Sequence, residues 1–368
     1  MTDFVPYTPD DFAHSPFVLF YEVTRACDLV CAHCRACAQP KRHPHELTHE
    51  QSEQLLTQIA SFPKPPVLIF TGGDPMKRED IFDLVRFAVD KGLSTAMTPS
   101  ATPLVTHEAI LKLKEAGLTR LALSIDAADA TTHDSFRGVP GSFDRTIEIL
   151  NDAHSVGLPI QVNTTITRRN VDQVDAMAEL FGQLGIVLWS IFFLVPVGRG
   201  LSEERVPAEK YEEVFERMWY HAQHQKYSLK TTEAHHYRRF VLERMGNPQY
   251  QPSGPAPGRI QRAPLGVNDG KGAMFVSHTG TVFPSGFMPI RCGKFPEQSV
   301  VDVYQNSETM QLLRDGDLLK GKCGACEYRQ ICGGSRARAY AVTQDPLASE
   351  PDCVYVPKVW REMEECLA

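Results

Sequence analysis

Six short runs of β-branched and apolar residues, each followed by an amphipathic stretch, set the tightest limit on what this chain can become. They are Phe17 to Val23, Val67 to Phe70, Leu93 to Met97, Arg120 to Ile125, Ile160 to Ile166 and Val187 to Phe193. Strands that alternate with helical patterns pair in parallel, because a parallel neighbour needs a crossover long enough to hold a helix. The first crossover carries a capping box, Thr48 with Gln51, ahead of Leu55, Leu56 and Ile59 on one face. The other helices are expected near Ile81 to Asp90, His107 to Ala116, Phe143 to Val156 and Val171 to Leu184. Six βα units fall short of the eight of a closed barrel. The expected class is therefore α/β, a partial (β/α)6 TIM-like barrel with ligands at the carboxyl ends of its strands.

The chain divides into four segments on this reading. Residues 1–16 are an N-terminal extension and residues 17–200 hold the barrel. Residues 201–269 read as a helical insert, Ala208 to Met245, and a Gly-, Pro- and Gln-rich linker. Residues 270–368 open on a hairpin, Ala273 to Pro284, turned at Thr279-Gly280. A net charge of −7 argues against broad binding to nucleic acid or to an anionic membrane. No stretch approaches about 20 uninterrupted apolar residues, and the N-terminus lacks the basic start of a signal peptide. A cytoplasmic location is expected.

Clustered thiols in a reducing compartment point to metal or redox work rather than to disulfides. The ten cysteines fall into two groups, at 27, 31, 34 and 37 and at 292, 323, 326, 332, 353 and 366. In Arg25-Ala-Cys-Asp-Leu-Val-Cys-Ala-His-Cys34, the C-x3-C-x2-C spacing of Cys27, Cys31 and Cys34 follows the first strand directly. Three thiolates on one short loop hold three corners of a four-iron, four-sulfur cube and leave one iron open, as a reactive cluster requires. A structural zinc site using His33, and a ferredoxin-like register of Cys31, Cys34 and Cys37 that lacks its fourth ligand at Lys41, stand as alternatives.

The loop, with its Thr24-Arg25-Ala26-Cys27 and Ala32-His33-Cys34, resembles the radical S-adenosylmethionine (SAM) superfamily, in its SPASM-bearing branch. The resemblance implies that SAM chelates the open iron and is cleaved reductively to methionine and a 5′-deoxyadenosyl radical, which takes hydrogen from a substrate. Thr71-Gly-Gly-Asp-Pro75 resembles the family's Gly-Gly-Glu-Pro motif. It implies that Gly72 and Gly73 serve SAM's ammonium group, with the shorter Asp74 in place of Glu. By the same resemblance His33, Ser124, Asp126, Arg137 and Asn163 belong to the SAM pocket. The electron donor implied is a flavodoxin or a ferredoxin.

The second group, Lys322-Cys-Gly-Ala-Cys-Glu-Tyr-Arg-Gln-Ile-Cys332 with Cys353, offers four thiolates for zinc or iron-sulfur. It resembles the outer auxiliary 4Fe-4S centre of a SPASM/twitch domain, with Cys323, Cys326, Cys332 and Cys353 as ligands. The inner centre of a full SPASM domain is expected to be missing, since Ser285 and Arg336 stand where that pattern has cysteines. Cys37, Cys292 and Cys366 read as ordinary thiols. His235 and His236, beside Glu233, read as solvated helix residues. Arg329, Arg336 and Arg338 read as a basic patch that balances the cluster thiolates. Met97, Met274 and Met288 read as core.

Relatives in such a family oxidise haem-precursor side chains or modify ribosomal peptides, so the substrate is a small molecule or a peptide. Only 16 residues precede the first strand, fewer than a peptide-recognition domain needs, which favours a tetrapyrrole. A non-catalytic module with zinc at both cysteine groups is the competing class.

Overall fold

The computed structural model describes residues 7–245 and 264–367. All six expected strands form: β1 (Val18–Thr24), β2 (Val67–Gly72), β3 (Thr95–Met97), β4 (Arg120–Ser124), β5 (Ile160–Ile166) and β6 (Leu188–Phe193). They lie in chain order and parallel. The capping box closes as its sequence requires. The Thr48 hydroxyl accepts from the Gln51 amide at 3.2 Å, and the Gln51 side chain accepts from the Thr48 amide at 3.0 Å.

Two features extend this sheet beyond the expected six strands. The stretch read as a helical insert contains a further strand, β7 (Ser228–Thr232), between the helices Ala208–His224 and His236–Met245, and it pairs in parallel with β6. Its single large apolar residue, Leu229, faces the helices, and the polar residues around it hide the strand from a hydropathy pattern. The hairpin also forms, as β9 (Gly272–Val276) and β10 (Thr281–Phe283), after the two-residue β8 (Asn268–Asp269). Yet β9 runs parallel to β1 on the edge opposite β2, with Val18 opposite Ala273 and Tyr21 opposite Val276. With β11 (Gly293–Lys294) on β10, the order across the sheet is β11-β10-β9-β1-β2-β3-β4-β5-β6-β7, and β8 pairs with β9.

Side chains alternate across a strand, and here the alternation sorts two faces. Leu19, Tyr21, Val23, Leu68, Phe70, Leu121, Leu123, Ile160, Val162, Trp189, Ile191, Leu229, Met274 and Val276 join the apolar helix faces in one buried core. The alternate set is largely polar and lines the concave side: Glu22 and Thr24, Arg120 and Ser124, Gln161 and Asn163, Ser190, Lys230 and Thr232. A sheet covered by helices on one face only is expected to show this split.

His235 and His236 depart from expectation, because both are buried. Their helix packs on Ala208–His224, and the His236 ring lies 5.0 Å from Tyr211 and 4.9 Å from Phe215. Burial pushes His236 down to about 3. Met97, Met274 and Met288 are fully buried. The linker over residues 246–263 and the side chain of Cys366 lie outside the described residues. No helix among the described residues is long and apolar enough to cross a membrane.

Candidate active site

The loop after β1 is closed at its base by backbone hydrogen bonds, Cys27 N to Gln39 O at 2.8 Å and Gln39 N to Arg25 O at 2.9 Å. The Arg25 guanidinium donates to the Ala36 carbonyl inside the loop. Cys27 and Cys31 are buried, and together with Leu29 they form one small apolar cluster that Cys34, Ala38 and Val139 join. Cys37 is not part of it and sits at a left-handed φ of 46°. Burial pushes the Cys27 thiol up.

The turn after β2 presses on this loop from one side. Gly73 N donates to Thr24 O at 2.8 Å and Asp74 N to Ala26 O at 2.7 Å. A Cβ at Gly72 would lie 2.4 Å from Thr24 O, and one at Gly73 would lie 2.4 Å from Ala26 O. These glycines therefore permit contact between two backbones. Asp74 is fully buried, its oxygens occupied by Met76 N at 3.1 Å, Ser100 N at 3.3 Å and the Thr102 hydroxyl at 2.8 Å, and burial raises its carboxyl. It holds the loop after β3 in place. That loop brings Ser100, whose hydroxyl donates to Gly73 O at 3.0 Å and lies 3.3 Å from Cys27 Sγ. Sequence reasoning missed Ser100, although a serine three residues beyond a strand's carboxyl end was the available signal.

From the other side come β4 and the helix Ala130–Arg137. The helix is capped by Asp129, which accepts from Thr132 N at 2.8 Å, and it ends at Gly138 with φ 68°. Its last residue, Arg137, pairs with the buried carboxylate of Asp126 and points a second nitrogen at Cys31 Sγ, 3.8 Å away. Asp126 also accepts from Thr165 N at 2.8 Å and lies 3.8 Å from His33 Nε2. Burial works to raise the Asp126 carboxyl, but Arg137 and then His33 hold it below the usual range. Burial carries His33 down to about 4, against the pull of Asp126. Ser124 stands in register with Asn163, one step into the concave face. The expected residues thus gather at the carboxyl ends of β1, β2 and β4, with Asn163 midway along β5.

Two further braces were not foreseen. Arg199, after β6, donates to Cys31 O at 2.9 Å, and Gly198 packs so tightly that a Cβ would lie 2.4 Å from Cys34 O. Beneath the loop, buried Glu22 on β1 binds Arg35 at 3.1 Å and His278 at 2.6 Å, tying the loop to the segment after β9. The donor set fits the group that the sequence implies: three gathered thiols, a guanidinium beside one of them, and a Gly73 carbonyl with a lone pair free beyond Ser100.

The second group also comes together. Cys323, Cys326, Cys332 and Cys353 line one cavity with His236, Arg239, Glu350 and Tyr355. Backbone amides approach two thiols, Glu350 N to Cys323 Sγ at 3.3 Å and Gly334 N to Cys332 Sγ at 3.4 Å. Burial pushes Cys353 up to about 12. The expected basic patch resolves into different roles. Arg336 approaches Cys323 Sγ at 3.6 Å, and Arg329 pairs with Asp317 at 2.8 Å. Arg338 is fully buried between Glu350 and Asp352, each at 3.1 Å, because no uncompensated guanidinium is stable at that depth.

Residues 21–181 match the Radical SAM superfamily. The chain is 38% identical over 344 residues to the AdoMet-dependent heme synthase of Methanosarcina barkeri, covering 94% of this chain and 98% of that one. To the AdoMet-dependent heme synthase of Nitratidesulfovibrio vulgaris it is 38% identical over 367 residues, 98% and 97% of the two chains. In fold it is similar to Streptococcus suis SuiB bound to its precursor peptide SuiA, with a TM-score of 0.71, 16% identity, and 93% and 76% of the two chains covered.

Proposed function

This chain belongs to the radical SAM superfamily, and on that premise we propose that it forms haem, taking hydrogen from a side chain of a tetrapyrrole precursor. The observation that carries the reading is identity of 38% to two haem synthases along nearly their whole length. A shared barrel alone would not favour one substrate over another.

Cys27, Cys31 and Cys34 are the ligands of the SAM-binding 4Fe-4S cluster in this reading. With SAM bound, that cluster supplies a 5′-deoxyadenosyl radical by one-electron cleavage of the sulfonium. The chain's own residues position and enclose. Arg137 and Asp126 fix the rim beside Cys31, with His33 packed behind them on Phe136. Gly72, Gly73 and Asp74 set the opposite wall, with Ser100 at Cys27. Ser124 and Asn163 face the concave side below. Cys323, Cys326, Cys332 and Cys353 would hold an auxiliary 4Fe-4S cluster, which would exchange an electron with the reaction or brace the domain. A flavodoxin- or ferredoxin-type protein is the reductant, and the compartment is the cytoplasm, in keeping with nine described cysteines that are all free.

The test is anaerobic reconstitution followed by SAM, dithionite and a panel of carboxylated iron porphyrins. The protein should hold about eight irons and release 5′-deoxyadenosine in step with a change in porphyrin mass. Release that no porphyrin accelerates would overturn the haem reading. Colourless protein holding zinc would overturn the enzyme reading as well.

A further inference from the structure

The concave face carries two groups of charges that are treated differently. Glu22 is neutralised by Arg35 and His278. Among the described residues neither Arg120 nor Lys230 makes a hydrogen bond or an ion pair, and the Arg120 Nε is buried without a partner.

Both side chains point into the barrel. Leu121 and Leu123 face the helices, which turns Arg120 to the concave side, and Leu229 does the same for Lys230. Lys230 lies in register with Ser190, Ser190 with Asn163, and Asn163 with Ser124, so it completes a polar row that begins in the SAM pocket. Arg120 begins β4 on the same face as Ser124. Lys230 is exposed on the concave face and Arg120 is half-buried; the protein crowded around Lys230 and then Arg120 push the Lys230 ammonium down to about 8, and burial lowers Arg120. Two like charges on one wall, with no carboxylate among the described residues paired to either, attract an anion that enters between them.

Apolar rings complete the surroundings. Phe192 on β6 lies 6.2 Å from Phe287, and Phe275 on β9 lies 6.2 Å from Phe283. A flat apolar molecule with carboxylates at its edge matches a concave face that carries both rings and cations, its faces meeting the first and its acids the second. We propose that Arg120 and Lys230 are the substrate-binding residues that grip a carboxylate of the tetrapyrrole inside the barrel. The proposal rests on the haem reading above and adds to it which residues select the acid.

Binding is measured without SAM, by titrating the reconstituted enzyme with a carboxylated iron porphyrin and with the same porphyrin capped as neutral amides. The wild type should prefer the acid. Arg120→Gln and Lys230→Gln should each weaken binding of the acid by about 10- to 100-fold and leave the amide unchanged, while Lys230→Arg should retain most of the affinity for the acid. Variants that bind the acid like the wild type, or that lose acid and amide equally, overturn the assignment. If the wild type binds and turns over the acid while the variants are unaltered, only this assignment falls. If the wild type binds no porphyrin, the haem reading falls first and takes the assignment with it. Should Arg120→Gln lose its iron, Lys230→Gln and the wild-type preference for acid over amide decide the matter.

Discussion

The two thiol sites are built by different means. The first places Cys27, Cys31 and Cys34 on one loop, pinned at its base by backbone hydrogen bonds and gripped by Gly73, Asp74 and Gly198 through main-chain contacts. The second gathers Cys323, Cys326, Cys332 and Cys353 over a longer stretch, around side chains. Its frame is the buried Arg338 with Glu350 and Asp352, and Asp352 reaches back to Tyr211 at 3.0 Å and Arg205 at 2.6 Å in the helical region after β6. Main-chain contacts tolerate side-chain change, whereas a buried ionic frame fails when one partner is removed. The main-chain seams of the first loop are therefore sensitive to volume, alongside its Arg137–Asp126 and Glu22 pairs, whereas the frame of the second site rests on charge.

Substitutions at the two sites should separate along this line. The largest effect is on chemistry itself: Cys31→Ala should remove about four irons and bring 5′-deoxyadenosine release under dithionite to background. Cys353→Ala should also lower iron by about one cluster while leaving the SAM-dependent electron paramagnetic signal of the first site intact. An unchanged iron content in Cys353→Ala would remove it as a ligand. Next in size, Glu350→Gln removes one of the two carboxylates that compensate the fully buried Arg338, leaving Asp352 alone, and should cost up to about 3–5 kcal/mol. Denaturant titration measures the loss, and iron should leave the second site first. Gly73→Ala drives a methyl group to 2.4 Å from a carbonyl of the first loop, a clash expected to cost about 1–3 kcal/mol. Its iron loss should fall on the first site, and equal loss from both would erase the proposed distinction. Smallest is Ser100→Ala, which deletes one hydrogen bond worth about 1 kcal/mol. It should lower the unfolding midpoint by a few degrees at most and alter the first cluster's signal while sparing the second's.

Much of this was legible because it is local. A thiol spacing, a glycine pair at a strand end and a capping box each lie within a few residues, so Cys27 to Cys34, Gly72-Gly73 and Thr48-Gln51 could be read directly. Arg137 was expected through the family resemblance alone, since no local pattern ties it to Asp126. What escaped depends on distant packing. The Glu22–His278 bond joins residues 256 positions apart, and no local pattern announces it. His235 and His236 looked solvated because a helix with charged neighbours reads as a surface helix until another element covers it. Strand β7 was hidden because its inward face is polar, which is the property that equips Lys230 to meet a substrate.

The pairing of β9 with β1 also bears on how the molecule is made. The strand that ends in the first thiol loop receives one neighbour, β2, soon after synthesis, and the other only when residue 276 has emerged. Until then its far edge presents unpaired amides and carbonyls. A nascent or truncated chain ending before residue 272 would thus carry the iron-binding loop on a half-finished seam, open to pairing with another chain. Completion of the C-terminal third removes that hazard.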